Sequence, residues 1–154
     1  MLWIVTVPVI VALGVGSGWL SGAGNRNPWF SRLAKPRFMP PGWAFSVVWT
    51  TLYVLMGLSL AEVLAVGPSP LRNAGLVLFA IQLVLNLAWA PVFFGARRIG
   101  AGLAMVVALD LLVAAIILLF ARIGAVAAAA MLLPYLLWLG AATMLNLAIL
   151  RLNR

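Results

Sequence analysis

The chain has 154 residues, of which 66% are hydrophobic and only 8% are charged. A water-soluble domain usually carries about 25% charged residues and still exposes much of its surface at this size, so the composition predicts an integral membrane protein. The chain has no cysteine, no histidine and only two acidic residues, which leaves little for disulfides, metal sites or hydrolytic catalysis.

Five stretches are apolar over the roughly 20 residues that a membrane-spanning helix needs. The sequence therefore predicts an all-α membrane protein, with a single domain over residues 1–154 that forms a bundle of five transmembrane helices. Because most connections are short, consecutive helices are expected to be antiparallel neighbours. The predicted spans are about 3–22, 42–66, 74–95, 100–121 and 124–150, and the first loop covers about 23–41.

The first span is interpreted as a retained helix rather than a signal peptide. No basic residue precedes Arg26, so the charged region that opens a signal peptide is missing. Gly14, Gly18 and Gly22 recur at every fourth position, a spacing that lets another helix backbone approach closely. This stripe of glycines predicts packing either within one bundle or between two protomers of a homodimer.

The basic residues predict the orientation in the membrane. Eight of them fall on one side of a five-span bundle, and only Arg72 and Arg122 fall on the other. The positive-inside rule then places the C-terminus in the cytoplasm and the N-terminus outside. The net charge of +8 is assigned to loops beside anionic lipid headgroups, and no nucleic-acid partner is predicted. The eight residues are Arg26, Arg32, Lys35, Arg37, Arg97, Arg98, Arg151 and Arg154.

The first loop is rich in prolines and aromatic residues, and two interpretations stay open. Pro40 and Pro41 suit the start of the second helix, since proline is tolerated in a first helical turn, and the aromatic residues then form an interfacial belt. Alternatively, Trp29, Phe30 and Phe38 fold over the mouth of the bundle as a lid.

Aromatic and amide side chains recur at helical spacing in the second and third spans. Phe45, Trp49 and Tyr53 share one face of the second span. Gln82 and Asn86 are also four residues apart, and an amide in hydrocarbon must be hydrogen-bonded, so both are expected to face the bundle interior. They serve either as interhelical hydrogen bonds or as ligand contacts.

The last two spans contain an intramembrane acid and a proline. Asp110 is expected to be neutral or bonded to an amide or hydroxyl. It is either a proton-sensitive functional group, as its position in the membrane favours, or a structural hydrogen-bond donor. Pro134 predicts a kink or a freed carbonyl in the fifth span. Trp138, Ala142 and Asn146 share a face, and a large indole followed by a methyl leaves a hollow that suits a flat ligand or a packed helix.

Taken together, these segments resemble the TspO/MBR family, which comprises the translocator proteins and tryptophan-rich sensory proteins. The resemblance covers nearly the whole chain, and its five motifs occur in the family's order on the five helices. The motifs are Lys35-Pro36 with Pro40-Pro41-Gly42-Trp43, Trp49-Thr50-Thr51-Leu52-Tyr53, residues 85–97 from Leu85 to Arg97, Asp110-Leu111-Leu112-Val113, and Pro134-Tyr135-Leu136-Leu137-Trp138 with Leu145-Asn146.

The resemblance implies a bundle with a pocket open toward the first loop, often in a dimer. Family members bind porphyrins and haem-type tetrapyrroles, so the ligand is expected to be a porphyrin or haem, held without a covalent cofactor bond or a metal-ligating side chain. The lid residues Arg26, Arg32, Lys35 and Arg37 would meet its propionates. The candidate ligand-binding residues are Phe30, Phe38, Trp49, Tyr53, Asn86, Trp89, Tyr135, Trp138 and Ala142.

Two positions depart from the family pattern. Phe38 replaces the usual tryptophan of the proline-rich loop, which keeps an aromatic face but loses an N–H donor. Leu147 stands where the sterol-recognition pattern has tyrosine. That pattern is weak even when complete, so no specific sterol site is predicted.

The leading hypothesis is a membrane-embedded binding protein for tetrapyrroles and similar flat hydrophobic ligands, which acts as a sensor, regulator or carrier. The first alternative is an enzyme for light- and oxygen-dependent porphyrin degradation, in which Trp49 and Trp138 would be the catalytic redox partners. The second is a small-molecule transporter. The resemblance also implies a multi-pass protein of a bacterial membrane.

Overall fold

The computed structural model describes residues 1–24 and 27–154, and this part of the chain is helical without any strand. Arg26, a predicted lid cation, lies outside the described residues. The helices are α1 (Trp3–Leu20), α2 (Pro28–Arg32), α3 (Gly42–Ala65), α4 (Pro70–Ala90), α5 (Ile99–Arg122), α6 (Val126–Met131) and α7 (Leu133–Leu152), and α4 continues into a π-helical turn at Pro91–Gly95.

Within the described residues, five segments are long and apolar enough to cross a membrane, which confirms the predicted all-α fold with five transmembrane helices. They are Trp3–Leu20, Gly42–Ala65, Pro70–Gly95, Ile99–Arg122 and Val126–Leu152. The third span begins at Pro70, earlier than predicted. Ser69 caps it, because its hydroxyl accepts a hydrogen bond from the Arg72 N–H at 3.1 Å, and a proline fits the first turn.

The five spans form a ring around the interior. Helix α1 packs between α3 and α4, α5 packs between α4 and α7, and α6 closes the ring against α3. The expectation that consecutive spans are neighbours holds only weakly for α3 and α4. These two helices make few direct contacts, because α1 lies between them.

The closest approach in the ring is between α1 and α3. A Cβ atom added at Gly57 would lie 2.6 Å from Val7 Cα, and the Thr6 hydroxyl donates to the Gly57 carbonyl at 2.7 Å. Gly14 faces the ring of Tyr53, where a side chain would overlap it. Glycine on both helices thus lets their backbones come together.

The glycine stripe of α1 is not one packing surface. Gly14 packs within the bundle, Gly18 has open space beside it, and Gly22 follows the helix with a φ of 61°. Only a residue without Cβ adopts that left-handed backbone readily. The homodimer therefore remains a prediction, and Gly14 does not support it because its face is covered by the same chain.

Pro134 produces the predicted irregularity in the fifth span. Helix α6 ends at Met131, and α7 begins at Leu133 with the proline in its first turn. Proline has no N–H to donate, so the hydrogen-bond ladder is interrupted at this point. The Ser59 hydroxyl donates to the Ala128 carbonyl in α6 at 2.9 Å, which ties the short helix to α3.

The first loop and the C-terminus lie together, as the topology prediction requires. The Asn153 side chain accepts from the Ala34 N–H at 2.9 Å and donates to the Ala34 carbonyl at 3.0 Å. This pair of hydrogen bonds holds the loop against the end of α7. Which compartment this side faces stays a prediction.

Candidate functional site

A cavity of about 450 Å³ lies inside the ring, between α1, α3, α4, α5 and α7 and beneath α2. Its wall is mainly apolar and aromatic, and no charged side chain lines it among the described residues. The aromatic residues of the wall are Trp19, Phe30, Phe45, Trp49, Tyr53, Trp89, Phe93, Phe94 and Trp138. Ser17, Ser46, Thr50, Asn86 and Asn146 add polar groups.

Most of the candidate ligand-binding residues meet at this cavity, although their positions span more than a hundred residues of sequence. Phe30 comes from α2, Trp49 and Tyr53 from α3, Asn86 and Trp89 from α4, and Trp138 and Ala142 from α7. Phe38 and Tyr135 do not line it.

Phe38 lies outside the cavity, contrary to its expected place among the lid residues. Its side chain is 61% exposed and borders an outer groove with Arg37, Met144, Leu147 and Arg151. The reason is the path of the loop. After α2, the hydrogen bonds between Ala34 and Asn153 lead the chain along the outside of α7.

Tyr135 lies behind the wall, where it supports Asn86. It is fully buried, and its hydroxyl accepts from Asn86 Nδ2 at 2.8 Å and donates to Gln82 Oε1 at 3.1 Å. The Tyr53 hydroxyl donates to Asn86 Oδ1 at 3.0 Å. Tyr53, Asn86, Tyr135 and Gln82, here called the tyrosine–amide network, therefore join α3, α4 and α7. Gln82 and Asn86 face the bundle interior, as predicted.

The lid geometry is present at Trp29 and Phe30. Asn27 caps α2, since its side-chain oxygen accepts from the N–H groups of Trp29 at 3.1 Å and Phe30 at 3.2 Å. Phe30 is 5% exposed and meets Phe94 edge to face, with ring centroids 5.2 Å apart. The short helix thus places an aromatic side chain over one end of the cavity.

Lys35 closes the lid helix rather than facing the cavity. Its Nζ donates to the Phe30 carbonyl at 2.8 Å and the Ser31 carbonyl at 3.3 Å, and it lies 4.8 Å from the centre of the Phe30 ring. A lysine suits these carbonyls because they carry the negative end of the helix dipole. Arg32 and Arg37 are exposed, and neither lines the cavity.

Phe93 and Phe94 were not among the predicted site residues, although they form an aromatic cluster below the lid with Trp89, which was predicted. Trp89 stacks on Phe93 with centroids 4.9 Å apart, and Phe93 meets Phe94 edge to face at 4.9 Å. The spacing from Trp89 to Phe93 continues the interior face of Gln82 and Asn86, which was an available signal. The π-helical turn, which aims Phe94 inward as well, had only Pro91 to indicate it.

Trp138 and Asn146 line the cavity, and each has one polar atom without a hydrogen-bond partner among the described residues. These atoms, Trp138 Nε1 and Asn146 Oδ1, are buried. Buried polar groups are nearly always paired, so these two are exceptions. Asp110, in contrast, is paired and lies outside the cavity, since it accepts from the Thr143 hydroxyl at 2.7 Å. The predicted pairing of Asp110 with an amide or hydroxyl is confirmed.

Comparison with known proteins decides the family. Residues 5–152 match the sequence model of the TspO/MBR family. The chain belongs to this family. It is therefore an integral, multi-pass membrane protein, and the resemblance found in its motifs is confirmed.

Relatives in this family come from distant organisms. The chain is 40% identical to the tryptophan-rich protein TspO of Chlorobaculum tepidum, over 97% of each chain. It is 40% identical to the tryptophan-rich sensory protein of Cereibacter sphaeroides, over 82% of this chain and 78% of the relative. It is 38% identical to the human translocator protein, over 90% of this chain and 82% of the relative.

Proposed function

We propose that this TspO/MBR protein is a membrane-embedded sensor or regulator that binds porphyrin-type tetrapyrroles and similar flat hydrophobic ligands. The observation that carries this proposal is the aromatic cavity of about 450 Å³ beneath the lid helix. Small-molecule pockets typically measure about 300–1,000 Å³ and are lined by apolar and aromatic side chains with a few polar groups. The cavity fits that description.

The aromatic side chains of the wall favour a flat ring system. Trp49 lies 5.5 Å from Tyr53, with their rings tilted by 30°, and Trp138 meets Phe45 edge to face at 5.6 Å. These contacts hold the indoles in fixed orientations. Rings packed against such indoles gain stacking and edge-to-face contacts beyond the burial of apolar area.

The charge distribution sets the expected orientation of a porphyrin. The described cavity wall has no cation, so a buried carboxylate would lose its hydration without compensation. The propionates therefore lie at the mouth on the first-loop side, where Arg32 of the lid helix is exposed. In this orientation the macrocycle occupies the aromatic interior and only its acidic edge meets solvent and lipid headgroups.

A sensory role is favoured over transport by two observations. The relative in Cereibacter sphaeroides is named a tryptophan-rich sensory protein. The intramembrane carboxylate that a proton-coupled transporter would need at its binding site is bonded to Thr143 instead, away from the cavity.

Fluorescence quenching of the detergent-purified protein by protoporphyrin IX tests the proposal. We expect saturable quenching at micromolar ligand, with weaker binding in Trp138→Phe. Trp43→Phe is the matched control, because Trp43 is 70% exposed and does not line the cavity. Linear, non-saturating quenching that is the same in all three proteins would contradict the proposal.

A further inference from the structure

The outer groove that Phe38 borders is separate from the aromatic cavity. It lies on the outside of α7, has a volume of about 640 Å³ and shares no lining residue with the cavity. One wall is the loop segment 35–38, and the other wall belongs to α7. The α7 residues of the groove are Met144, Leu147, Ala148, Arg151 and Leu152.

Hydrogen bonds hold the loop wall of the groove against α7. The Asn153 side chain pairs with both backbone groups of Ala34, immediately before the segment. At its other end, the Met39 N–H donates to the Pro36 carbonyl at 3.1 Å and closes a turn. The two walls therefore form a preorganised groove rather than a gap beside a loose loop.

The groove is apolar at one end and cationic at the other. Met144, Leu147 and Arg151 follow one another at helical spacing, so they share a face of α7. The seven residues from Met144 to Arg151 correspond to about 10 Å along the helix axis. Arg151 lies in the last turn of α7, so the groove runs from the apolar part of the span to its charged end.

Three cations border the groove, namely Lys35, Arg37 and Arg151. The chain has only two acidic residues, Glu62 and Asp110, and neither lines the groove. Lys35 already donates to the backbone of the lid helix, whereas both arginines are exposed. Among the described residues, the groove thus contains positive charge without any counter-charge.

We propose that the outer groove is a binding site for an anionic phospholipid. Arg37 and Arg151 hold the phosphate at the cationic end, because guanidinium groups donate paired hydrogen bonds to phosphate oxygens. An acyl chain lies along Leu147 and Met144 toward the membrane interior. Basic pockets beside transmembrane helices are typical sites for anionic lipid headgroups.

The charge of the groove disfavours other occupants from the membrane. A second copy of the chain that docked by the same groove about a two-fold axis would bring like charges together. A sterol offers one uncharged hydroxyl, which leaves both arginines without a counter-charge. A zwitterionic lipid carries a cation beside its phosphate, and the three cations of the groove repel that group.

Native mass spectrometry in a neutral detergent tests the proposal. The protein is mixed with equal amounts of phosphatidylglycerol and phosphatidylcholine that have the same acyl chains. We expect the wild type to retain one phosphatidylglycerol with about tenfold preference. The double variant Arg37→Gln/Arg151→Gln should lose this preference. The matched control is Arg97→Gln/Arg98→Gln, since these arginines are exposed and lie outside the groove, and it should bind as the wild type does.

A second pair of variants tests the shape of the groove at constant charge. Ala148→Trp places an indole in the groove and should reduce retention of phosphatidylglycerol about tenfold. Ala141→Trp, at an exposed position of α7 outside the groove, should leave retention unchanged. Circular dichroism of all four variants, with helical content equal to wild type, establishes that each is folded.

Several outcomes would overturn the inference. Equal retention of the two lipids by wild type would exclude an anionic site, and an equal loss in both arginine variants would indicate general surface charge. Full retention by Ala148→Trp would place the lipid elsewhere. Displacement of the lipid by an equal concentration of glycerol 3-phosphate would indicate a site for free phosphate, and preferential retention of cholesterol would assign the groove to a sterol.

Discussion

Two buried asparagines of the same cavity differ in how completely they are paired. Asn86 accepts from Tyr53 and donates to Tyr135, so both ends of its amide are engaged. Asn146 donates to its own helix and leaves its oxygen unpaired. Both are at most 5% exposed, so burial does not separate them.

The two sides of the cavity therefore differ in how their polar groups are paired. On the α3–α4 side, the polar groups form hydrogen bonds between helices, as in the tyrosine–amide network. On the α7 side, Asn146 Oδ1 and Trp138 Nε1 are buried without a hydrogen-bond partner among the described residues. A satisfied amide in a membrane bundle stabilises it by roughly 1 kcal/mol per bond, whereas an unsatisfied one lowers stability.

The largest effect on stability is expected from a substitution in the tyrosine–amide network, at the residue that lies behind the cavity wall. Tyr135→Phe removes two hydrogen bonds and leaves Asn86 Nδ2 and Gln82 Oε1 unpaired, which should lower the free energy of unfolding by about 2 kcal/mol. Denaturation in mixed detergent micelles measures this. Because Tyr135 does not line the cavity, porphyrin affinity should stay close to wild type. Unchanged stability would show that the network contributes nothing.

A smaller loss of stability is expected when one end of the Asn86 amide is left unpaired, as one end of the Asn146 amide is. Tyr53→Phe removes the hydrogen bond that Asn86 Oδ1 accepts, at a cost of about 1 kcal/mol. Denaturation in mixed detergent micelles should therefore show about half the loss of stability expected for Tyr135→Phe, because one hydrogen bond is removed rather than two. A loss equal to or larger than that of Tyr135→Phe would contradict this order.

The smallest effect concerns the lid. Lys35→Met removes the hydrogen bonds to the Phe30 and Ser31 carbonyls but keeps much of the side chain's apolar length, so global stability should change by less than about 1 kcal/mol. Hydrogen exchange of the amides in α2 should become faster, and bound porphyrin should dissociate sooner. Arg32→Met, on the exposed face of α2, is the control. Equal exchange rates in both variants would show that Lys35 does not stabilise the lid helix α2.

Much of the fold could be predicted because it depends on composition and local spacing. Apolar length located the five spans, and Pro134 indicated the break between α6 and α7. The interior face of Gln82 and Asn86 followed from the cost of burying an amide in hydrocarbon. These features are properties of single segments, which a sequence displays directly.

The errors arose where several segments meet. Tyr135 and Trp138 are three residues apart on the same helix, yet one lies behind the wall and the other on it, because α4 supplies partners for the tyrosine hydroxyl alone. Phe38 lies outside because hydrogen bonds between Ala34 and Asn153, more than a hundred residues apart, direct the loop along the outside of α7. The unpaired state of Asn146 could not be predicted either, since it depends on which polar groups the other helices fail to bring.

NMR of the seven indole N–H groups during a protoporphyrin IX titration tests whether the porphyrin occupies the aromatic cavity, because the ring current of a porphyrin shifts only nearby nuclei. Tryptophan-to-phenylalanine variants assign the signals. We predict that the signals of Trp49, Trp89 and Trp138 shift saturably with a single dissociation constant, while the exposed Trp43 signal stays in place. Shifts confined to Trp43 and other exposed indoles, with the cavity signals unchanged, would contradict it.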